Sequence, residues 1–206
     1  ALNNDPEPIR LFKSNFLEFF THISPVAVLV IWVPVVVYFL LQTINQASHW
    51  SVALLAFFLG LFLWTLAEYV LHRFLFHYRP RSARQEKIFF LFHGVHHAQP
   101  KIKTRLVMPP VLSIPMAAIF YGLFYLFFVT LLNLSAWKGA TFSGFIAGYI
   151  IYDMMHYATH HFAMRNGIWK WLKRHHMQHH YKDPDKQYGV SSPLWDYVFA
   201  TMPKGK

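Results

Sequence analysis

No Asp, Glu, Lys or Arg occurs in residues 19–67, a run of 49 uncharged residues. A helix needs about 20 apolar residues to cross the hydrocarbon core of a bilayer, so this run has room for two transmembrane spans. We place the two spans at about 26–44 and 50–71, with a turn near 45–50. Pro34 lies inside the first span, where a membrane helix tolerates a kink. Because a small soluble domain has little room to bury such a run, the sequence predicts an integral membrane protein.

A second uncharged stretch covers residues 106–137. Pro109-Pro110 lies near its start, and a third span is predicted to follow at about 111–132. The region 139–155 is shorter and rich in glycine and other small residues, which suit close packing of membrane helices. We interpret it as a fourth span. The predicted fold class is therefore all-α, with four transmembrane helices and a single membrane-embedded domain over residues 1–206.

The chain is basic, with 19 Lys and Arg against 9 Asp and Glu and a formal net charge of +10. In a four-span topology the N-terminal segment, the loop after the second span and the C-terminal tail share one side, and they hold every Lys and Arg except Lys138. The positive-inside rule makes that side cytoplasmic. We expect a helical cytoplasmic cap there, built from about 78–105 and 162–201. Topology and anionic lipid headgroups account for the charge, so no nucleic acid is expected among the partners.

The chain has 14 histidines and no cysteine, which excludes zinc fingers, iron–sulfur centres and haem-thiolate sites. Residues three or four apart share one face of a helix, so the histidines of HGVHH and those of HMQHH are each predicted to point the same way. His72 and His77 are five apart and converge only where the helix ends, bends or bulges. Twelve histidines form four groups near the predicted cytoplasmic ends of the spans: HRFLFH (72–77), HGVHH (93–97), HYATHH (156–161) and HHMQHH (175–180).

So many imidazoles on one membrane face exceed the needs of one metal ion and suit two ions with nitrogen-rich shells. A flexible histidine-rich tail that merely chelates metal is the alternative. The groups are separated by spans and interleaved with apolar residues, which favours a folded site. Imidazole alone does not choose among zinc, copper, iron and nickel. A pair of redox-active irons could activate O₂ beside the bilayer, and zinc can occupy such a site in purified protein. A non-catalytic, zinc-stabilised membrane scaffold remains open as a function of another class.

Two acidic residues lie inside predicted spans. Glu68 precedes His72 by four residues, and Asp153 precedes His156 by three. An ionisable residue at membrane depth is functional by default. We expect each carboxylate to accept the ring N–H of a ligand histidine and so to fix its tautomer. The alternative is that either acid simply pairs with a cation such as Arg105.

The four histidine groups resemble the histidine boxes of the membrane fatty acid hydroxylase superfamily, which also includes sterol and carotenoid hydroxylases and desaturases. Longer stretches are similar to the fatty acid 2-hydroxylases, which act on the acyl chain of ceramides. The resemblance covers nearly all of residues 10–201 and is carried by WTLAEYVLHRFLFH (64–77), RLVMPP (105–110), GYIIYDMMHYATHH (148–161) and GVSSPLWDYVFAT (189–201).

This resemblance implies an O₂-dependent di-iron monooxygenase that adds a hydroxyl at C2 of a long acyl chain, free or in a ceramide. A sterol or carotenoid hydroxylase or desaturase of the same superfamily is the alternative. Tyr152 and Asp153 are expected to contact substrate or oxygen. His161 and His175 fall outside the implied ligand set. The implied ligands of the two metals are His72, His77, His93, His96, His97, His156, His160, His176, His179 and His180.

Yeast and animal relatives carry an N-terminal cytochrome b5 domain with an HPGG motif, and this sequence contains no HPGG. Either the sequence is part of a longer chain, or the electrons come from an external donor such as cytochrome b5 or a ferredoxin. An acidic donor would suit the basic residues Lys170, Lys173 and Arg174 beside the fourth histidine group. We expect the membrane to be the endoplasmic reticulum in a eukaryote and the inner membrane in a bacterium.

Overall fold

The computed structural model describes residues 7–46 and 49–203, and in this part of the chain every regular element is helical. Three α-helices continue directly into π-helical segments, at Leu71–Phe76, Phe90–Gly94 and Tyr125–Leu131, and one 3₁₀ turn covers Lys103–Arg105. The α-helices are α1 (Asn15–Phe19), α2 (Pro25–Gln46), α3 (Trp50–Val70), α4 (Ala83–Phe89), α5 (Val95–Ala98), α6 (Pro110–Phe124), α7 (Ser135–His161), α8 (Gly167–Tyr181) and α9 (Leu194–Val198). The all-α fold class is therefore confirmed for the described residues.

Three stretches of the described residues are long and apolar enough to cross a membrane: Pro25–Gln46 with 22 residues, Trp50–Phe76 with 27 and Lys103–Leu131 with 29. They overlap the first three predicted spans almost completely. The fourth predicted span, 139–155, lies inside α7, which is less apolar because Gly, Ser and Thr recur along it. That the chain has four transmembrane spans therefore stays a prediction. The turn predicted near 45–50 includes residues 47 and 48, which lie outside the described residues.

The chain divides into two compact units. One comprises Ser24–Trp64 and Met108–Ile151. In this unit α3 and α7 approach each other closely at glycines: a Cβ on Gly60 would lie 2.0 Å from the Thr141 carbonyl oxygen, and one on Gly144 would lie 1.9 Å from that of Phe57. No real Cβ fits at such distances, so the small residues of the 139–155 region pack helices together as their composition indicates.

The other unit comprises Ala1–Ile23, Thr65–Val107 and Tyr152–Lys206. Its N-terminal segment is fastened by Arg105, which is buried and donates to the Glu18 carboxylate and the Ile9 carbonyl. The same guanidinium lies 3.0 Å from His22 Nε2. Arg105 is thus engaged by Glu18, and this unit also contains all four histidine groups.

Candidate metal centre

At the first two histidine groups a helix changes from α-helical to π-helical geometry. At the end of α3, Leu71–Phe76 is a π-helix, and the His77 N–H donates to the His72 carbonyl at 3.0 Å. An i→i+5 repeat brings residues five apart onto one face, and the two imidazole rings lie 4.9 Å apart. The bulge that this spacing requires is therefore present. A second π-helix, Phe90–Gly94, carries His93 and leads into α5.

Ten histidines gather in two clusters of five, and they are the ten that the resemblance implies as ligands. Within each cluster the candidate ligand nitrogens all lie within 4.8 Å of one another. Both clusters belong to the same compact unit. The first cluster consists of His72, His77, His93, His97 and His179, and the second of His96, His156, His160, His176 and His180.

Within two of the sequence groups, histidines belong to different clusters. In HGVHH, His93 and His97 belong to the first cluster and His96 to the second. HMQHH is divided in the same way, with His179 alone in the first cluster. Residues four apart stay together, whereas chain neighbours are turned by about 100° around a helix axis. The prediction that all three histidines of each group point the same way is therefore wrong, because each group serves both clusters.

The Nε2 atoms of each cluster face one another. In the first cluster His93 Nε2 lies 3.2 Å from His72 Nε2 and 3.0 Å from His97 Nε2. In the second cluster His96 Nε2 lies 2.9 Å from His156 Nε2. Two ligand nitrogens that are about 2.1 Å from one ion and at right angles to each other lie about 3 Å apart. Both clusters therefore have the spacing of a metal shell.

Burial keeps these imidazoles neutral. It lowers the pKa of His93, His96 and His176 well below the usual range, and repulsion from neighbouring histidines lowers it further. Burial also lowers the pKa of His77 to about 3 and the pKa of His179 to about 4. Neutral imidazole is the form that ligates metals, so both clusters are ready to bind ions at neutral pH without losing protons first.

Two histidines of the first cluster have their tautomers fixed by backbone carbonyls. His72 Nδ1 lies 2.5 Å from the Tyr188 carbonyl oxygen, and His179 Nδ1 lies 2.7 Å from that of Lys186. A carbonyl oxygen only accepts, so each Nδ1 carries the single proton of the neutral ring. Each Nε2 is then left with a lone pair that points into the cluster. The acceptor of the His72 ring N–H is therefore a carbonyl rather than the Glu68 carboxylate that the sequence predicts.

Glu68 is 3% exposed and contacts the backbone next to the carbonyl that holds His72, rather than the histidine itself. Its carboxylate accepts hydrogen bonds from the backbone N–H groups of Val190 at 2.5 Å and Ser191 at 2.8 Å, and from the Ser191 hydroxyl. These residues follow Tyr188, whose carbonyl holds His72. The described contacts of Glu68 thus hold the backbone that fixes a cluster histidine.

Tyr152 and Asp153 are both buried on α7, shortly before His156 of the second cluster. The Tyr152 ring centroid lies 5.7 Å from that of His156. Their contact with substrate or oxygen stays a prediction, and their position next to a cluster histidine is consistent with it.

Asp196 lies in a buried hydrogen-bond network that the sequence pattern does not predict. The carboxylate is fully buried and accepts four hydrogen bonds, from the N–H groups of Tyr188 (2.9 Å) and Gly189 (2.8 Å), the Thr201 hydroxyl (2.7 Å) and His175 Nε2 (3.2 Å). Burial by itself raises the pKa of an aspartate, but these hydrogen bonds hold the pKa of Asp196 below its ordinary value. The available signal was a lone acid inside the apolar stretch GVSSPLWDYVFAT.

The remaining two histidines of the four groups stay outside both clusters. His175 Nε2 faces Asp196, and its Nδ1 lies 3.1 Å from Gln187 Nε2. His161 packs its ring against Tyr157, with centroids 4.7 Å apart. Both positions agree with the ligand set that the resemblance implies.

This fold and site define a helical protein that has membrane-length apolar segments and two histidine clusters able to hold metal ions. The model of the fatty acid hydroxylase family matches residues 57–201. The chain belongs to this family, and the resemblance drawn from the histidine boxes is confirmed.

Named relatives align with nearly the whole chain. A dihydroceramide fatty acyl 2-hydroxylase of Arabidopsis thaliana is 36% identical over 197 residues, which are 96% of this chain and 81% of that protein. A ceramide very long chain fatty acid hydroxylase of Schizosaccharomyces pombe is 43% identical over 190 residues, 91% of this chain but only 53% of that protein. A solved structure described as full-length scs7p, with only the hydroxylase domain visible, matches with a TM-score of 0.84 and 41% identity, covering 92% of this chain and 70% of that one.

Proposed function

We propose that this protein is an O₂-dependent hydroxylase that adds a hydroxyl group at C2 of a long acyl chain, free or in a ceramide or dihydroceramide. The observation that carries the proposal is the convergence of ten buried or half-buried histidines into two clusters in a chain of the fatty acid hydroxylase family. The names of the plant and fungal relatives support the acyl substrate, and the name of the plant relative supports position 2 as the position of attack.

In this proposal each cluster holds one iron ion, and zinc can replace iron in purified protein because zinc ranks above Fe(II) in affinity. The two ions supply the activation of O₂ and the attack on the C2–H bond, with electrons from an external donor. The donor set fits such ions, since all ten ligands are imidazoles with inward Nε2 atoms and the cluster histidines are buried or half-buried.

The protein's own residues position and protect this chemistry. The carbonyls of Lys186 and Tyr188 accept the Nδ1–H groups of His179 and His72, so that the Nε2 lone pairs of these rings face the first cluster. Burial of the histidines keeps bulk water away from the ligand atoms, and this limits side reactions. Tyr152 and Asp153, buried beside His156, are proposed to contact the substrate or oxygen.

Lipid profiling tests the function. Expression in a host that lacks 2-hydroxy acyl lipids is expected to produce lipids heavier by one oxygen, with the hydroxyl located at C2 by fragmentation. His93→Ala and His176→Ala, one from each cluster, are expected to abolish the product. His49→Ala, at an exposed histidine outside both clusters, is the matched control and should retain it. A hydroxylated sterol or carotenoid, or a product that survives His93→Ala, would contradict the proposal.

The proposed topology has four spans, with the histidine clusters in a cytoplasmic cap. It is supported by the charge distribution, since every Lys and Arg except Lys138 falls in the segments of the histidine-bearing unit. The absence of cysteine allows a direct test with single introduced cysteines and a membrane-impermeant thiol reagent. Lys87→Cys should react from the cytoplasmic side and Lys138→Cys from the opposite side. Reaction of both from one side would refute the topology.

An acidic electron-transfer protein is the proposed redox partner. Lys170 and Arg174 are exposed on α8, and the Lys173 ammonium donates to the Phe162 carbonyl at 2.8 Å. The double variant Lys170→Glu, Arg174→Glu is expected to slow reduction by an acidic donor, with a loss that salt reproduces in the unaltered protein. Reduction that is insensitive to both changes would exclude docking at this surface.

A further inference from the structure

Residues 186–191, here called the 186–191 loop, contact the first cluster. Its carbonyls at Lys186 and Tyr188 accept the ring N–H groups of His179 and His72. Removing the partner of a ligand imidazole typically weakens metal binding by about 10- to 100-fold, because the ring loses its orientation and its tautomer. The geometry of this loop therefore bears directly on metal binding at the first cluster.

The loop owes its shape to Asp196. The backbone N–H groups of Tyr188 and Gly189 both donate to this carboxylate, which is fully buried. Gly189 is held so tightly that an added Cβ would lie 2.0 Å from the Ser192 carbonyl oxygen and 2.9 Å from Asp196 Oδ2. Ionised aspartate suits this place because its two oxygens accept several hydrogen bonds at once.

The side of Asp196 that faces α8 is equally well defined. Gln187 Nε2 donates to Gln178 Oε1 at 3.0 Å and lies 3.1 Å from His175 Nδ1, which therefore accepts. A neutral His175 then carries its proton on Nε2 and donates it to Asp196 at 3.2 Å. Gln187 adopts a left-handed backbone with φ of 59°, a conformation that side-chain-bearing residues seldom adopt without local hydrogen bonds.

Among the described residues, most histidines of the second cluster lack such a hydrogen bond on the outer ring nitrogen. The Nδ1 atoms of four of its members are buried and have no protein hydrogen-bond partner among the described residues: His96, His156, His176 and His180. Its Nε2 atoms converge as closely as those of the first cluster, for example at 3.0 Å between His160 and His176. The two clusters thus share their ligand type and differ in what orients the ligands.

We propose that Asp196 is a positioning residue for the first cluster alone, so that the two metal sites are inequivalent and can be emptied separately. Asp196 acts through the 186–191 loop on His72 and His179 and touches neither ion. This inference rests on the proposal that both clusters bind metal, but it does not require any particular substrate or reaction.

Zinc binding to the purified full chain tests the inference, with competition by a chelator and counting of the ions that remain. In Asp196→Asn one of the two ions is expected to leave at a chelator concentration lower by about 10- to 100-fold, while the other ion is held as before. Asp185→Asn is the matched control, since it removes a carboxylate that is exposed and bonds only to exposed Arg79 among its described side-chain contacts. It should leave both steps unchanged.

The affected cluster is identified in backgrounds that keep one cluster each. Asp196→Asn should weaken zinc binding when His160→Ala and His180→Ala disable the second cluster, and should have no effect when His77→Ala and His97→Ala disable the first. If Asp196→Asn fails to fold, Thr201→Val removes only one donor to the carboxylate and is expected to shift the same ion by a smaller factor. An equal shift of both ions, or no shift of either, would overturn the inference. Absence of hydroxylase activity in the unaltered protein, with the zinc shift of Asp196→Asn still observed, would contradict the proposed function and leave this inference standing.

Discussion

The metal-free protein is expected to lose stability steeply as the pH falls from 7 to 5. In an unfolded chain histidine titrates near pH 6.5, whereas burial lowers the pKa of His179 to about 4 and the pKa of His77 to about 3 in the folded protein. At pH 5 the unfolded chain therefore binds protons at these positions and the folded chain does not. Because the folded pKa lies below the unfolded value, the cost is absent above about pH 6.5 and grows as the pH falls.

The size of the effect follows from these pKa values. At pH 5 each of the two histidines lowers the free energy of unfolding by about 2 kcal/mol, so together they remove about 4 kcal/mol. Native proteins are commonly stable by about 5–15 kcal/mol, so this loss is large. The pKa of His160 is lowered by burial to about 2, which adds a similar cost. Zinc holds its ligands neutral and should flatten the dependence where it stays bound.

Thermal unfolding in detergent, followed by the fluorescence of the seven tryptophans, measures the effect. His179→Gln removes one titrating group and should reduce the loss between pH 7 and pH 5 by about 2 kcal/mol, the share expected of one buried histidine. His49→Gln, at an exposed position, should leave the pH profile unchanged. A flat profile for the metal-free protein, or the same slope in His179→Gln as in the unaltered protein, would refute the reasoning.

Two further predictions concern packing and a buried ion pair. Gly144→Ala drives a Cβ to within 1.9 Å of a carbonyl oxygen and should lower the melting temperature, at a cost of about 1–3 kcal/mol or more. Gly122→Ala, where nothing lies within 4 Å, is its control and should be neutral or slightly stabilising. Glu18→Gln leaves buried Arg105 without its carboxylate and should cost about 3–5 kcal/mol, whereas Asp185→Asn at an exposed pair should cost less than about 1 kcal/mol by chemical denaturation.

The apolar spans could be predicted from the sequence because hydrophobicity and the absence of charge are properties of each residue. The three longest apolar stretches meet this condition. The region 139–155 does not give so clear a signal, since the glycines that let α7 approach α3 also dilute its apolar character. Close packing and lipid exposure place opposite demands on such a helix, and composition alone does not separate them.

The resemblance to the histidine boxes implies the ten clustered histidines. Their division between two clusters could not be predicted. Which cluster a histidine joins depends on the direction in which its side chain leaves the helix axis. The π-helices at Leu71–Phe76 and Phe90–Gly94 change that direction, because each turn contains about one residue more than a regular α-helical turn. The sequence indicates that His72 and His77 need a bulge, yet HGVHH carries no such sign because its spacings already fit an α-helix. The sequence also does not show that the carbonyls of Lys186 and Tyr188 accept ring N–H groups, since every residue has a backbone carbonyl.

The histidine spacing acquires a reason once both clusters are considered together. Within HGVHH and HMQHH, histidines next to each other in the chain serve different clusters, so one short helix contributes to both. The two clusters therefore lie close together. The rings of His97, in the first cluster, and His180, in the second, stack with their centroids 4.1 Å apart. The proposed function requires two ions that act on one oxygen molecule to lie near each other, and helices that contribute histidines to both clusters bring the clusters close. The HxxHH pattern therefore supplies ligands to two adjacent metal sites rather than additional ligands to a single site.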